Sequence, residues 1–171
     1  IPAASTSFYY SDAMVEMGQF EAGLYTVVTN HRAMAAKSLP DIQGLTALSN
    51  RGWIVDWRTL EQLGIARLQH VGQWPAMPKM LAGGRADFLL APFQATADLS
   101  LTVDTIRLVP TPGLKIGLHG TRHFLVSRRH ARSAALLDNL NAGLSALRHK
   151  GVIRQAYEQS GFFNPRVAQW T

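Results

Sequence analysis

Two groups of residues have the chemistry to hold a small charged molecule. The first is the polar run Ser49-Asn50-Arg51-Gly52-Trp53. It follows an apolar stretch and precedes a helical one, so the unpaired N–H groups of a helix start can face an anion there. An ordinary polar turn capped by Asn50 fits the same residues. The second is Arg122, which follows Gly120-Thr121. Its planar fork of donors suits a carboxylate, and the alternative is a solvated member of a basic loop. Phe93, just past another apolar run, can stack on a ligand or pack in a core.

Other constellations fall short of catalysis. Ser49 and Ser127 lack the G-x-S-x-G elbow, and the chain has no glycine-rich phosphate loop. Asp56 and Glu61 could form an acid–base pair. Their place reads as an exposed helix start, where carboxylates complement the helix dipole. His119 and His123 stand four apart and would share a metal only on a helix. Gly120 and the apolar residues after His123 point instead to a loop and a strand. Trp53, Trp57 and Trp74 read as packing residues, with sugar stacking as the alternative. The reading is therefore not an enzyme, with no cofactor and no metal.

These residues need elements to position them. Leu45 to Ser49 predicts a strand, Trp57 to Leu63 a helix closed by Gly64, and Ala66 to Val71 a second strand. Pro75 to Leu81 predicts a helix stopped by Gly83 and Gly84, and Asp87 to Ala91 a third strand. That third strand is nearly all apolar, as a strand buried on both faces is. Alternation of this kind predicts a parallel β-α-β-α-β unit over residues 40–92. Ala22 to Thr29 predicts a strand upstream, followed by a polar connection from Asn30 to Leu39. Pro110-Thr111-Pro112-Gly113 predicts a loop, and Lys115–Leu118 and His123–Ser127 predict strands. Ala131 to His149 is the clearest helix. Leu136, Leu137, Leu140, Leu144 and Leu147 fall on one stripe of it. Gly151 ends it, and Val152 to Ser160 predicts a second helix.

The 171 residues are 47% apolar and 16% charged, which describes a globular chain of one domain or two small lobes. No apolar stretch approaches the ~20 residues that span a bilayer. Cysteine is absent, which excludes disulfides and thiolate chemistry. The first seven residues carry no initiator Met and no export signal, so a processed or partial chain is expected. The net charge of +6 is scattered, apart from a patch between Arg122 and Arg132. Direct nucleic-acid binding would gather it on one face. An anionic ligand or an anionic membrane surface accounts for the charge equally well.

Three segments carry a resemblance. Leu39-Pro40-Asp41-Ile42-Gln43-Gly44-Leu45-Thr46 is similar to the L-x-D-L-x-G segment that leads into the second lobe of type II periplasmic binding proteins. Met80-Leu81-Ala82-Gly83-Gly84-Arg85-Ala86-Asp87-Phe88 is similar to their L-x-x-G-R-x-D segment. Leu140 to Leu147, with Lys150-Gly151-Val152-Ile153, resembles their C-terminal helix pair. In order and spacing the chain resembles the amino-acid-binding-like extracellular solute-binding proteins over roughly residues 8 to 165. The resemblance implies an α/β fold of that type: a parallel-sheet lobe with helices on both faces plus the C-terminal part of a second lobe. Residues 28–117 would be the second, inserted lobe. Residues 1–27 and 118–171 would be the crossover strand and the returning part of the first lobe, whose N-terminal unit is missing.

By the same resemblance the chain binds a small polar solute, anionic or zwitterionic, for an uptake transporter. It would be a periplasmic monomer whose partners are its ligand and a membrane transporter or receptor module. The alternative is a ligand-sensing domain of a receptor or transcription regulator with the same fold. The ligand-binding set implied is Ser49, Asn50, Arg51, Trp53, Phe93 and Arg122. Many amino-acid binders hold the ligand ammonium with an Asp near the end of the third strand. This chain has Pro92 there, a departure that counts against an α-amino acid. Arg85 and Asp87 occupy positions that are mostly structural in the family.

Overall fold

The computed structural model describes residues 6–171, which form two sheets. In the larger, β3 (Thr46–Ser49), α3 (Ile54–Gln62), β4 (Arg67–His70), α4 (Ala76–Ala82) and β5 (Phe88–Pro92) follow one another as expected. β3 pairs in parallel with both β4 and β5. The strand residues alternate between two cores. Ala47, Phe88 and Leu90 join Leu60 of α3 on one face, while Leu48, Leu89 and Ala91 join Met77 and Leu81 of α4 on the other. A strand apolar at every position has to be covered on both sides, and the helices do this. Asp87 ties the sheet to its surroundings. Its carboxylate accepts from the Thr46 N–H at 2.7 Å and from Asn30 Nδ2 at 3.0 Å, and Asn30 in turn caps α1 (His31–Met34).

The sheet is not parallel throughout. Its order is β4-β3-β5-β2-β7-β6, where β2 is Glu21–Thr26, β6 Leu101–Val103 and β7 Ile106–Gly117. β2 runs antiparallel to β5 and β7, and β6 to β7. β6 and β7 are joined by a tight turn in which Asp104 has φ +53°, a connection short enough only for antiparallel strands. The predicted loop at Pro110–Gly113 lies inside β7. The loop signal marks an irregularity there. One step from Gly23 to Tyr25 on β2 faces the stretch from Pro110 to Lys115 on β7, and Gly113 takes φ +82°. The connection read as polar over Asn30 to Leu39 contains α1 and leads into α2 (Leu39–Gln43).

The smaller sheet pairs β1 (Phe8–Tyr10) with β8 (Leu125–Ser127), antiparallel. α5 (Ser133–His149) and α6 (Val152–Gln159) follow, close to their predicted bounds. The leucine stripe is only partly covered. Leu144 is buried, Leu137 and Leu140 are half-buried, and Leu136 and Leu147 are 50% and 42% exposed. The spacing produces the apolar face, but α5 meets only α6 and β8 with any density, so part of that face meets solvent. No helix among the described residues is long and apolar enough to cross a membrane.

Candidate functional site

The turn after β3 is built by Asn50. Its Oδ1 accepts from the Gly52 N–H at 2.7 Å, its Nδ2 donates to the Gly72 carbonyl at 3.1 Å, and its own carbonyl accepts from the Trp53 N–H at 2.8 Å. This is an Asx turn, and it starts α3 at Ile54, three residues before the predicted Trp57. No side chain caps that start.

A cleft of about 270 Å³ opens beside the start of α3. Trp53, Ile54, Val55 and Asp56 line it from the start of α3, and Phe20, Gly120, Thr121 and Arg122 complete the lining. Gly120 and Val55 come into close approach. A Cβ on Gly120 would stand 2.7 Å from Val55 Cγ2, closer than side chains pack, so glycine permits the approach. Arg122 is fixed by backbone pairing with Met14 and Val15. Its guanidinium lies 4.8 Å over the Phe20 ring and 5.6 Å over Phe162, two rings stacked at 4.5 Å. Among the described residues the guanidinium has no hydrogen bond and no ion pair within the chain.

Asp56 is half-buried in the first turn of α3, not on an exposed helix start as its sequence position suggested. Burial pushes its carboxyl above the ordinary carboxylate value, opposed by its own backbone N–H and by the positive charge of Arg122. Glu61, its supposed acid–base partner, accepts from the Trp57 indole at 2.7 Å and does not line the cleft. His123 holds Thr121 from behind, with Nδ1 2.7 Å from the Ser11 carbonyl and Nε2 2.7 Å from Thr121 Oγ1. Both ring nitrogens are therefore engaged by neighbours other than His119.

Of the six residues of the expected ligand-binding set, Trp53 and Arg122 meet in this cleft. The others lie elsewhere. Ser49 is buried at the end of β3, and its hydroxyl has no hydrogen-bond partner among the described residues. Asn50 is engaged within the turn. Arg51 is exposed, with its guanidinium 5.3 Å over the Trp57 ring. Phe93 is buried in a separate small core with Leu99 and Val167, edge-on to Trp170 at 5.4 Å, so its ring serves packing. Phe20 and Thr121 were not anticipated, and Asp56 was read as a helix-start carboxylate and not as part of this cleft. Thr121 had a signal in its place beside Arg122, whereas Phe20 had none.

Solved structures similar to this chain include transport binding proteins. One is the "probable amino-acid ABC transporter extracellular-binding protein ytmK" from Bacillus subtilis (TM-score 0.63, 15% identity, 94% of this chain and 68% of that one). A second is an arginine transport-system periplasmic binding protein from Legionella pneumophila (TM-score 0.61, 13% identity, 90% and 65%). This chain has the type II periplasmic-binding-protein fold. A third structure of that fold is an amino acid ABC transporter substrate-binding protein from Streptococcus pneumoniae bound to L-arginine (TM-score 0.59, 14% identity, 91% and 61%). The chain thus spans between 61% and 68% of the length of these periplasmic-binding-protein structures. No family model matches the sequence, and no curated protein matches it.

Proposed function

We propose that this chain is the ligand-binding part of an extracytoplasmic solute-binding protein, which takes up a small anionic or zwitterionic solute reversibly and passes it unchanged to an uptake transporter. The cleft between the start of α3 and Arg122 carries this reading. One wall offers a helix start, the other a guanidinium whose donors are not used by any described residue of the chain. An anionic group entering there meets charge-assisted donors in a confined space, where they act more strongly than in open water. The fold supports the reading because lobes of this type can close on a ligand. The transport role named for each of the three solved structures supports uptake over sensing. The proposed location is periplasmic, and the working division is the inserted lobe at 28–117 with first-lobe segments on either side. The protein is proposed to act as a monomer with a membrane transporter as its partner.

Arg122 gives the test. Calorimetric titration with amino acids, dicarboxylates and sugar acids should find a ligand for the wild type. Arg122→Ala should then bind it more weakly by about 1.5–3 kcal/mol, or about tenfold and beyond. Equal affinity in the two proteins would remove Arg122, and with it this cleft, from the site.

A further inference from the structure

Positive charge gathers at one end of the smaller sheet, beside exposed apolar side chains. Between Asp104 and Asp138 the sequence has no acidic residue, and Arg128, Arg129, His130 and Arg132 fall on the turn that joins β8 to α5. We propose that this turn and the adjoining face of the β1–β8 ribbon dock on an anionic lipid surface. Docking there is independent of the solute cleft.

Three observations carry it. First, the ribbon has an open apolar face. Side chains alternate along a strand, so buried Val126 marks the covered face of β8. Leu125 and, across from Ser127, Phe8 stand on the opposite face, 55% and 39% exposed. Second, the charge lies beside that face and is held in place. The Ser127 hydroxyl, on the Leu125 side, accepts from the Arg129 N–H at 3.3 Å. The Arg132 N–H donates to His130 Nδ1 at 3.2 Å, and the Arg128 N–H to the Ser7 carbonyl at 2.9 Å. The Arg128 guanidinium lies 4.1 Å over the Tyr9 ring. None of the three arginines has an ion pair among the described residues. Third, α5 begins here with no acidic residue in its first turn and no side-chain cap, so its dipole adds to the positive field.

The chemistry chooses the partner. A symmetric contact with a second copy would set arginine against arginine. A nucleic acid would use the arginines and leave Leu125 and Phe8 in water. A headgroup layer offers anions to the arginines and its acyl boundary to the apolar side chains.

Co-sedimentation of the whole chain with lipid vesicles tests this. Vesicles of equal parts phosphatidylglycerol and phosphatidylcholine should bind it about tenfold or more tightly than pure phosphatidylcholine, and about 0.5 M salt should remove most of the difference. Arg129→Gln with Arg132→Gln should weaken binding about tenfold or more, and Leu125→Ser about threefold or more. All three side chains are exposed, and melting curves confirm that the variants fold. Lys79→Gln with Arg85→Gln removes the same charge from exposed positions at α4 and just past it, and should change binding by less than about twofold. Equal binding to both vesicles, an equal loss in the second pair, or no binding at all would overturn the assignment. So would a duplex oligonucleotide, or self-association seen by light scattering, that needs the same residues while the vesicles stay free. Each of these outcomes leaves the solute-binding role to its own titration.

Discussion

Tyr25 of β2 is wholly buried, and its phenol donates to the Leu99 carbonyl at 2.7 Å while accepting from the Gln94 N–H. Leu99 is one of two non-glycine residues in the left-handed region among the described residues, with φ +61°, a strained backbone that persists only where its surroundings hold it. Burial pushes the Tyr25 hydroxyl up to about 12 from its ordinary 10, with the Gln94 N–H pulling the other way. The native state thus resists losing this proton and the unfolded chain does not. The stabilisation is complete below pH ~10 and is lost as pH rises toward 12, by at most about 3 kcal/mol. Tyr25→Phe should cost about 1–3 kcal/mol near neutrality, because the Leu99 carbonyl and the Gln94 N–H lose their partner. It should also flatten the fall of the denaturant midpoint between pH 9 and 12. Parallel slopes for the two proteins would place the alkaline transition elsewhere. At this scale Arg122 was legible from its neighbours Gly120-Thr121 and its own chemistry. Asp56 was not, because a carboxylate in the first turn of a helix looks the same in sequence whether it faces water or a cleft.

Among the elements, α5 separates periodicity from burial. Five leucines at helical spacing specify an amphipathic helix, and a helix forms over Ser133–His149. Of the five leucines only Leu144 is buried. Leu144→Ala should therefore cost about 2–5 kcal/mol, while Leu147→Ala, at a position 42% exposed, should change stability by less than about 0.5 kcal/mol. Denaturant midpoints of the two variants check this, and equal losses would mean that the stripe is covered along its length. β7 makes the complementary point. Pro110, Pro112 and Gly113 read locally as a loop, yet the chain there runs beside β2 with its register shifted, and buried Thr111 donates to the Ala33 carbonyl at 3.1 Å. A neighbouring strand that accepts an irregular partner overrides the local signal.

Across the molecule, the two sheets differ in how they are supported. β2, β3 and β5 lie inside a six-stranded sheet covered on both faces, whereas β1 and β8 pair only over three residues each, beside the half-covered α5. A two-stranded ribbon is marginal without further cover, and poorly packed units open at lower free energy than a core. Amide hydrogen exchange should find β1 and β8 less protected than β3 and β5, by roughly a hundredfold or more; equal protection would show that the two sheets unfold as one. What the sequence determined by itself was the parallel β3-α3-β4-α4-β5 unit, the two C-terminal helices and the family likeness. The unit and the helices are written in local periodicity and in glycines just past helix ends, which act over a few residues, and the likeness is carried by the resemblance of three short segments in order. Only the tertiary structure decided that β2 and β7 run antiparallel through the middle of the sheet, that Phe93 packs in a core apart from the cleft, and that Asp56 lies across from Arg122. Those outcomes depend on which surfaces meet after the chain has turned back on itself, between residues such as Asp56 and Arg122 that are far apart in sequence, and no local pattern encodes them.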